Sequence, residues 1–506
     1  KETTPVESAE YTITSGPVDL YDESMVFQDS YTSIQDAIDD ADTGYTIKVW
    51  AGTYSEDLTI DESVTIVGED ADTTTIDCEH TVTASDVTIT GFTLDIDGGE
   101  TGITIDSTAD PISGFTVTDC IFDMTTSPAI GISICELALS EKVSDVTISD
   151  NTFNGPGDDI ANPWKIGGSY GTPRDAEVEN LLFQGNTVNN CSIPINLQDG
   201  DLTDIVIDGN TFDSTDGAVY VWTDEDSNPK GELSGFEFTH NDLSATNSYG
   251  VAFFEADLDG GGVVLGTQDA LTDDNFGTGN FIHQNDFSGV PKDGTYHLLG
   301  VSFLGDFTDY EMDATCNWWG DVDGPSGEGT GNEAGVSEDV LFDPWCVKVE
   351  LDKGWNLMSS PFIPSDTDIE AVLAGIMDDV ISVWHYDNTA GWLTYVPGGP
   401  SDLATMEDGK AYWINMAEAA DLLICGTELA VPPSLPPAYD VVVGWNMVGF
   451  KSTDTSTNAE DYLDGTEYVR IYKYDSGGWS IVQKSDAMEP GLGYWVAFTA
   501  AGTIYP

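Results

Sequence analysis

A short alternation of apolar and polar positions that ends in an asparagine recurs along the first two thirds of the chain. Its five copies read DVTISDNTF, NLLFQGNTV, DIVIDGNTF, GFEFTHNDL and NFIHQNDF, and they contain Asn151, Asn186, Asn210, Asn241 and Asn285. Such alternation predicts short strands with one buried face, and asparagine tolerates the left-handed backbone of a tight corner. The spacings of 35, 24, 31 and 44 residues between these asparagines fit coils with loop insertions better than a helical repeat of strict period.

The pattern continues toward the N-terminus, where DVTITGFTL and GFTVTDCIF are earlier copies with Thr, Gly or Asp at the corner. We therefore predict a parallel β-helix from about Thr46 to Asn317. Before it, SIQDAIDDA at residues 33–41 has apolar residues on one face, acids on the other and Ser33 as a candidate N-cap. This segment predicts an amphipathic helix that covers the first coil.

This helix and the strands TIKVWAGTY, LTI and VTIVGE that follow it resemble the opening of right-handed β-helix proteins of the pectate-lyase-like superfamily. At the other end, DATCNWWGDVDGPSG followed by VLFDPW resembles the NWWG segment that closes β-helices in many secreted and cell-surface proteins. The resemblance covers residues 26–346 and implies fold far more than activity. The predicted fold class is all-β: a right-handed parallel β-helix with an N-terminal capping helix, followed by two small β-rich domains.

The C-terminal third is a tandem duplication. The first copy contains KGWNLMSSPF, VWHYDNTAGWLTY and MEDGKAYWINM, and the second contains VGWNMVGF, IYKYDSGGWSIV and MEPGLGYWVAF. Matching positions are Trp355 and Trp445, Trp392 and Trp479, and Trp413 and Trp495. These copies resemble the small GWN modules of microbial surface proteins, a match that implies no catalytic role. The predicted domains are an arm at 1–25, the β-helix at 26–347, module 1 at 348–430, a proline-rich linker at 431–438 and module 2 at 439–506.

The chain is strongly acidic, with 14 Lys and Arg against 91 Asp and Glu and a formal net charge of −77. Nucleic acids and anionic membranes are therefore excluded as expected partners. High salt, bound divalent cations or a cation-bridged polymer would each relieve the repulsion, and the sequence does not choose among them. We expect a processed, secreted chain without a transmembrane segment, because no signal peptide or bilayer-length apolar run is present and the first residue is Lys1.

Seven cysteines suit an oxidising exterior. Cys316 and Cys346 bracket the loop that contains NWWG, and we predict a disulfide between them. Cys78, Cys120, Cys135 and Cys191 allow two further bridges whose connectivity the sequence leaves open. The remaining Cys425 is either a buried thiol or a link to a neighbouring copy.

The candidate catalytic residues lie in one long insertion of the β-helix, and they are Asp158, Asp159, Lys165 and Arg174. β-Helix enzymes of the superfamily that the chain resembles use Ca²⁺ with a basic residue, or paired carboxylates, against polysaccharides. Basic residues are too scarce here to favour that chemistry, and a polyanion repels a polyuronate substrate. A structured loop is the more ordinary interpretation of this insertion.

Calcium is the cofactor we predict, because Ca²⁺ takes several oxygen ligands from flexible acidic loops. The candidate ligands fall in three turns, namely Asp321, Asp323 and Glu328, then Asp224 and Asp226, then Asp257 and Asp259. Solvated acidic turns explain each of these sequences equally well.

The N-terminal arm contains a strand-like alternation, YTITSGPVDLY, with Tyr11, Ile13, Val18 and Leu20 as its apolar positions. It packs either along its own β-helix or as an added strand against a neighbouring copy. We predict a secreted cell-surface structural protein that assembles with itself into a surface layer or extracellular filament through cation-bridged contacts. The alternatives are a polysaccharide lyase or hydrolase, and an adhesin that binds cell-surface polysaccharide in the β-helix groove.

Overall fold

The computed structural model describes residues 17–506 apart from 78, 98, 125–127, 136–140, 158–160, 167–176, 193, 199, 225–231, 248, 258–263, 266–279, 291–299, 304–310, 330, 428–436 and 476. The chain divides into two compact units. The first comprises residues 1–236 and 253–279, and the second comprises residues 237–252 and 280–506.

Stacked strands of the first unit form three sheets, A, B and C, with parallel pairing between successive coils. Sheet A contains Val18–Tyr21, Phe27–Tyr31, Tyr45–Val49, Val64–Gly68, Thr88–Thr90, Ile112–Ser113, Thr116–Thr118, Lys142–Ser149, Glu177–Gln184, Asp201–Asp208 and Leu233–Ser234. Sheet B contains Gly52–Ser55, Thr74–Asp77, Thr93–Asp95, Ile121–Asp123, Thr152–Asn154, Thr187–Asn189 and Thr211–Asp213. Sheet C contains Thr59–Ile60, His80–Val82, Thr101–Ile105, Ala129–Ile134, Ala161–Ile166, Ile195–Gln198 and Val219–Asp224. The predicted all-β parallel β-helix is thereby confirmed.

In-register apolar ladders fill the interior of these coils, as sheets A and B illustrate. On sheet A the ladder is Ile47, Ile66, Ile89, Val117, Ile148, Phe183 and Ile207. On sheet B it is Tyr54, Ile76, Leu94, Phe122, Phe153, Val188 and Phe212. All of these side chains are buried. Alternation in the sequence therefore places one face of every strand inside, as the pleat of a β-strand requires.

The predicted helix at the start of the stack is present as Ile34–Asp39. The hydroxyl of Ser33 accepts a hydrogen bond from the backbone N–H of Asp36 at 3.2 Å, which confirms Ser33 as the N-cap. Ile34, Ala37 and Ile38 are the buried face of this helix.

An asparagine ladder runs beneath the corner that follows sheet A, and it corrects one detail of the sequence interpretation. Asn151, Asn186 and Asn210 do not adopt the left-handed backbone themselves; the preceding Asp150, Gly185 and Gly209 do, with φ of 57°, 65° and 63°. The asparagine side chains turn inward instead, and each is 1% exposed. They bond coil to coil, because Asn186 Oδ1 accepts from the N–H of Asn151 and Asn210 Oδ1 accepts from the N–H of Asn186, at 2.9 and 2.8 Å.

The arm strand Val18–Tyr21 pairs antiparallel with Tyr45–Val49 of its own coil. Val18 and Leu20 are 0% and 2% exposed, so they belong to the core of this chain. Insertion into a neighbouring copy is therefore wrong for these two residues, since their apolar surface is already covered. Tyr11 and Ile13 lie outside the described residues.

The second unit contains further coil strands and both modules. The coil strands are Glu237–Thr239, Asp242–Ala245, Phe281–His283, Val301–Phe303, Met312–Asp313, Ser326–Gly327, Gly335–Val336 and Val340–Leu341. Strand Val251–Asp257 begins in this unit and ends in the first, where it pairs antiparallel with Val264–Leu265. The ladder of this unit continues the same chemistry, with Asn241 bonded to Asn285 and Asn285 to Asn317.

The modules share one architecture, in which a four-stranded antiparallel sheet packs over a short helix. Module 1 contains strands Cys346–Leu351, Gly354–Ser359, Ile363–Pro364, Val380–Asp387, Gly391–Tyr395, Ala411–Met416 and Ala420–Thr427, helix Ile369–Val372 and the 3₁₀ helix Ala374–Asp379. Module 2 contains strands Tyr439–Val441, Gly444–Gly449, Tyr468–Asp475, Gly478–Ile481, Gly493–Phe498 and Gly502–Ile504 and helix Ala459–Tyr462. The boundary predicted after residue 347 falls inside the strand Cys346–Leu351, and the predicted linker is almost entirely outside the described residues.

The predicted disulfide between Cys316 and Cys346 is wrong. Cys346 is bonded to Cys425, which stands directly opposite it in the antiparallel pair of the first and last strands of module 1. Cys316 is a half-buried thiol whose carbonyl oxygen lies 3.5 Å from the sulfur of Cys425. The prediction paired Cys346 with Cys316 because the two are close in the sequence. The register of the first and last strands of module 1 instead places Cys346 opposite Cys425. Cys120 and Cys191 are also thiols, and burial raises the pKa of each to about 12.

Candidate ligand-binding site

The sheet of module 1 has an apolar inner face and an aromatic outer face. Its strands lie in the order Gly354–Ser359, Ala411–Met416, Val380–Asp387 and Gly391–Tyr395. The inner-facing side chains, which pack in the module core, are Met358, Val383, Tyr395, Tyr412 and Ile414. The outer-facing side chains include Trp355, Trp384, Trp392 and Trp413, one from each strand. A soluble sheet normally presents polar residues on its outer face, so this face is built for contact.

Module 2 repeats the aromatic face with one change. Trp445, Trp479 and Trp495 stand at the positions of Trp355, Trp392 and Trp413. Tyr472 takes the place of Trp384.

The two aromatic faces pack on each other in a pseudo-twofold arrangement. Trp413 of module 1 contacts Tyr474 and Trp479 of module 2, with ring centroids 4.9 and 5.6 Å apart. The equivalent Trp495 of module 2 contacts Tyr386 and Trp392 of module 1, at 6.0 and 6.1 Å. Each module therefore inserts the same tryptophan between the same two aromatic residues of the other.

Backbone contacts follow the same pseudo-symmetry. The N–H of Ser359 donates to the carbonyl oxygen of Gly491 at 2.8 Å, and the N–H of Gly449 donates to that of Gly409 at 2.9 Å. Ser359 is equivalent to Gly449, and Gly491 to Gly409. The duplication has thus produced an internal pseudo-dimer in one chain.

Aromatic side chains form a closed circuit around this interface, which we call the aromatic circuit. In order around the circuit, its members are Trp392, Trp384, Trp355, Trp413, Trp479, Tyr472, Trp445 and Trp495. Successive ring centroids are 5.6 to 6.5 Å apart. All of these pairs except Trp445 with Tyr472 meet edge to face, at interplanar angles between 63° and 85°, so the rings do not form a flat platform.

Five members of the circuit and Tyr474 line an open surface pocket of about 340 Å³, which we call the tryptophan pocket. Its lining residues are Trp355, Trp384, Trp392, Trp413, Tyr474 and Trp479. Trp355, Trp392 and Trp479 are 43%, 47% and 54% exposed, although each carries a large apolar surface that folding normally buries. The pocket is at the small end of the size range of small-molecule sites.

Among the described residues, no charged side chain lines the tryptophan pocket. Lysines elsewhere in the modules are engaged by carboxylates, as Lys353 is by Glu418 and Lys484 is by Glu460, at 2.5 and 3.2 Å. The indole N–H of Trp384 already donates to the hydroxyl of Ser382 at 3.1 Å. Hydrogen-bonding capacity in the pocket is therefore small, and its chemistry is that of aromatic faces.

Another cavity of the second unit, of about 230 Å³, is lined by His240, Asp286 and Gly375 among others. Lys348 pairs with Asp286 and Asp421 at 3.1 and 3.2 Å. Burial opposes the charge of Lys348, but these two carboxylates raise its pKa. The cluster has the character of a structural ion pair, because its one lysine is shared by two carboxylates.

Of the predicted calcium ligands, the structure describes the side chains of Asp321, Asp323 and Glu328, and these three do not form a ligand set. Asp321 bonds to its own loop, since its two carboxylate oxygens accept from the N–H groups of Asp323 and Asn332 at 3.0 Å each. Within the described ranges, no three His, Cys, Asp or Glu side chains lie close enough to ligate one metal ion. Asp226 and Asp259 lie outside the described residues, as do the side chains of Asp224 and Asp257. Glu328 lies in the described part of the chain, and it belongs to no such group of ligating side chains.

The candidate catalytic loop is mostly outside the described part of the chain, which leaves out Asp158, Asp159 and Arg174. Lys165 is described in the strand Ala161–Ile166 of sheet C, where it pairs in register with Ser133 and Asn196 of the neighbouring coils. Catalysis by this loop stays an untested prediction.

The sequence analysis did not predict the tryptophan pocket. The signal was present, because Trp355, Trp384 and Trp392 fall on the opposite faces of their strands from the core residues Met358, Val383 and Tyr395. Pairing of the two modules is a tertiary property that the repeat alone did not indicate.

The fold and the site define an all-β protein: a parallel β-helix followed by a pseudo-dimeric pair of β modules with an exposed aromatic surface. No helix in the described part of the chain has the length and apolarity needed to cross a bilayer. No protein-family model matches the chain. No curated protein matches it either.

Two solved structures are similar to this chain. One is the Dettilon tailspike protein, at 10% identity and a TM-score of 0.25, over 91% of this chain and 87% of that one. The other is the ORF18 protein of Geobacillus virus E2, at 12% identity and a TM-score of 0.25, over 89% of this chain and 82% of that one. Likenesses at this level carry no argument about ligands or activity.

Proposed function

We propose that this protein is an extracellular, cell-surface structural protein that assembles with itself into a surface layer or filament. The observation that carries the proposal is the continuous filling of the β-helix by in-register apolar and asparagine ladders. Packing and hydrogen bonds inside the coils hold each coil in register with the next. The outward-facing side chains are not needed for this and can differ from coil to coil. This arrangement suits a load-bearing scaffold.

The high negative charge of the chain supports a model in which cations bridge the contacts between copies. At a formal net charge of −77, two copies repel each other unless ions intervene. Calcium is the cation we propose, because carboxylates from two copies can together supply the oxygen ligands that a single acidic turn lacks. Asp321, Asp323 and Glu328 remain the first candidates for such shared sites.

The alternative of a polysaccharide-active or sugar-binding β-helix groove has less support. Among the described residues of the first unit, the strongly exposed large aromatic side chains are Phe27 and Trp50, at its N-terminal end. The exposed tryptophans are concentrated on the modules instead. A groove that binds polysaccharide would need such side chains along the coils.

Electron microscopy of the purified chain at low ionic strength tests the proposal. We expect ordered sheets or filaments with millimolar Ca²⁺ and their dissolution by a chelator. Equimolar Mg²⁺ is the control for divalent charge alone, since Mg²⁺ sheds its water reluctantly and bridges carboxylates poorly. The variant Asp321→Asn with Asp323→Asn tests the first candidate site against the wild type.

Monodisperse particles with and without Ca²⁺ would refute assembly. Assembly that is equally strong with Ca²⁺, Mg²⁺ and high NaCl would retain the structural role but refute calcium bridging in favour of simple screening.

A further inference from the structure

The tryptophan pocket lacks the polar groups that most ligands need. Sugar-binding sites pair a flat aromatic platform with polar side chains for the hydroxyls, whereas the walls here meet at 85° between Trp355 and Trp413 and 73° between Trp355 and Trp384. The lining of the pocket is thus wholly aromatic, and its polar groups are confined to indole N–H groups and the hydroxyl of Tyr474.

This geometry suits a cation with alkyl groups. Aromatic faces attract a cation that lies within about 6 Å of the ring centroid, and tryptophan does so most strongly. The centroids of Trp355 and Trp384 are 6.5 Å apart, and those of Trp355 and Trp413 are 6.2 Å apart. The three rings line the same pocket, so a cation seated in it meets more than one of them. Methyl groups on its nitrogen would remove the need for hydrogen bonds that the pocket cannot supply.

The charge of the molecule favours the same ligand. In the described part of the chain, no Lys or Arg lines the pocket, and acidic residues outnumber basic ones in the modules as they do in the whole chain. The surrounding field therefore attracts cations and repels anions. A neutral sugar gains nothing from that field.

We propose that the tryptophan pocket binds the quaternary ammonium group of a small molecule, with Trp355, Trp384, Trp413 and Trp479 as the rings that contact the charged group. This site is independent of self-assembly, because it lies within one chain. The equivalent half of the aromatic circuit has Tyr472 where the pocket has Trp384, and tyrosine attracts a cation less strongly than tryptophan. It is therefore the weaker site.

Calorimetric titration of the full chain with choline and with 3,3-dimethyl-1-butanol tests the proposal. The second compound has the same shape as choline, with a carbon in place of the charged nitrogen. We expect choline to bind and to change tryptophan fluorescence, and its neutral isostere to bind at least about tenfold more weakly. Equal affinity would refute the cation cage and leave an apolar pocket.

Variants locate the site. Trp384→Ala should weaken choline binding about tenfold or more, and Trp384→Phe should restore part of the loss because it keeps an aromatic face. Trp50→Ala is the matched control, since Trp50 is 41% exposed but belongs to the first unit. Circular dichroism and thermal unfolding show whether each variant is folded. Unchanged binding in a folded Trp384→Ala, or an equal loss in Trp50→Ala, would overturn the assignment.

Two further ligands distinguish the cation cage from a sugar site and from a lipid-binding surface. Binding of a neutral disaccharide without binding of choline would replace the cation cage by a sugar site. Flotation with phosphatidylcholine vesicles, without binding of free choline, would refute a small-molecule ligand in favour of a lipid headgroup.

Discussion

Single asparagines hold the coils of this protein together. The side chain of Asn186 makes four hydrogen bonds: its Oδ1 accepts from the N–H and Nδ2 of Asn151, and its Nδ2 donates to the carbonyl of Ile148 and the Oδ1 of Asn210. Buried backbone groups need such partners because no water replaces them. The residue before each asparagine makes the corner, which frees the asparagine side chain for this inward role.

Asn186→Ala should destabilise the β-helix by about 2–4 kcal/mol, because it leaves the N–H of Asn151 and the carbonyl of Ile148 buried without that partner. The free energy of unfolding from urea titration measures the effect. Gln184→Ala is the control, because Gln184 is an exposed amide on the same coil that bonds to Asp208 at 2.8 Å. It should cost no more than about 0.5 kcal/mol. Equal costs would mean that the ladder contributes nothing specific.

His80 makes stability depend on pH. Burial lowers the pKa of His80 to about 4, although the nearby Asp57, Glu56 and Asp77 oppose that shift. Its Nδ1 accepts from the N–H of Leu58 at 3.3 Å, so the buried ring is neutral. The unfolded chain takes up a proton near pH 6.5 and the folded chain only near pH 4, so stability is lost as the pH falls between these values.

We expect this residue to remove about 2 kcal/mol of folding free energy between about pH 7 and pH 5. Urea unfolding of the wild type and of His80→Gln at both values isolates the contribution, since glutamine keeps an acceptor and does not titrate. A pH dependence that is identical in both proteins would show that His80 is not the cause.

At the scale of elements, close approach of the two modules depends on glycine. Gly409 has φ of +70°, and an added Cβ would overlap the ring of Tyr439. Its equivalent Gly491 has φ of +82° and faces Val349 in the same way. Val349 and Tyr439 occupy equivalent positions, so the same close contact at a glycine occurs on both sides of the pseudo-dimer. The positive φ and the crowded contact together require glycine.

Gly409→Ala should destabilise module pairing by about 2–4 kcal/mol, of which about 1 kcal/mol is the left-handed backbone and the rest is steric overlap. Gly398→Ala isolates the backbone part, because Gly398 has φ of +65° with nothing within 4 Å of an added Cβ. Chemical unfolding followed by tryptophan fluorescence compares the two variants. If Gly398→Ala is as harmful as Gly409→Ala, contact with Tyr439 is not the reason for the glycine.

For the molecule as a whole, repulsion among the acidic side chains is the main electrostatic effect on stability. A formal net charge of −77 over 506 residues makes the folded chain repel itself, and several of the described lysines are committed to local ion pairs, such as Lys142 with Glu177. Exposed ion pairs of this kind add little stability. Mobile ions must therefore do most of the screening.

The thermal midpoint should rise by about 5–10 °C between about 0.01 M and 1 M NaCl, over which the Debye length falls from ~30 to ~3 Å. Calorimetry in NaCl and in KCl checks this expectation, and similar curves would identify screening as the mechanism. A midpoint that is flat or falls with salt would contradict it.

Local sequence patterns were enough to predict the coil architecture, because alternation fixes which face of a strand is buried, and a repeated asparagine marks the same corner in each coil. They were also enough to predict the helix after Ser33 and the duplication of the modules, since both are local patterns. Three features became visible in the folded chain alone: Cys346 pairs with Cys425, Val18 and Leu20 belong to their own core, and the aromatic faces close into a circuit. These outcomes depend on strand register and on the docking of segments far apart in the chain, which no local pattern encodes.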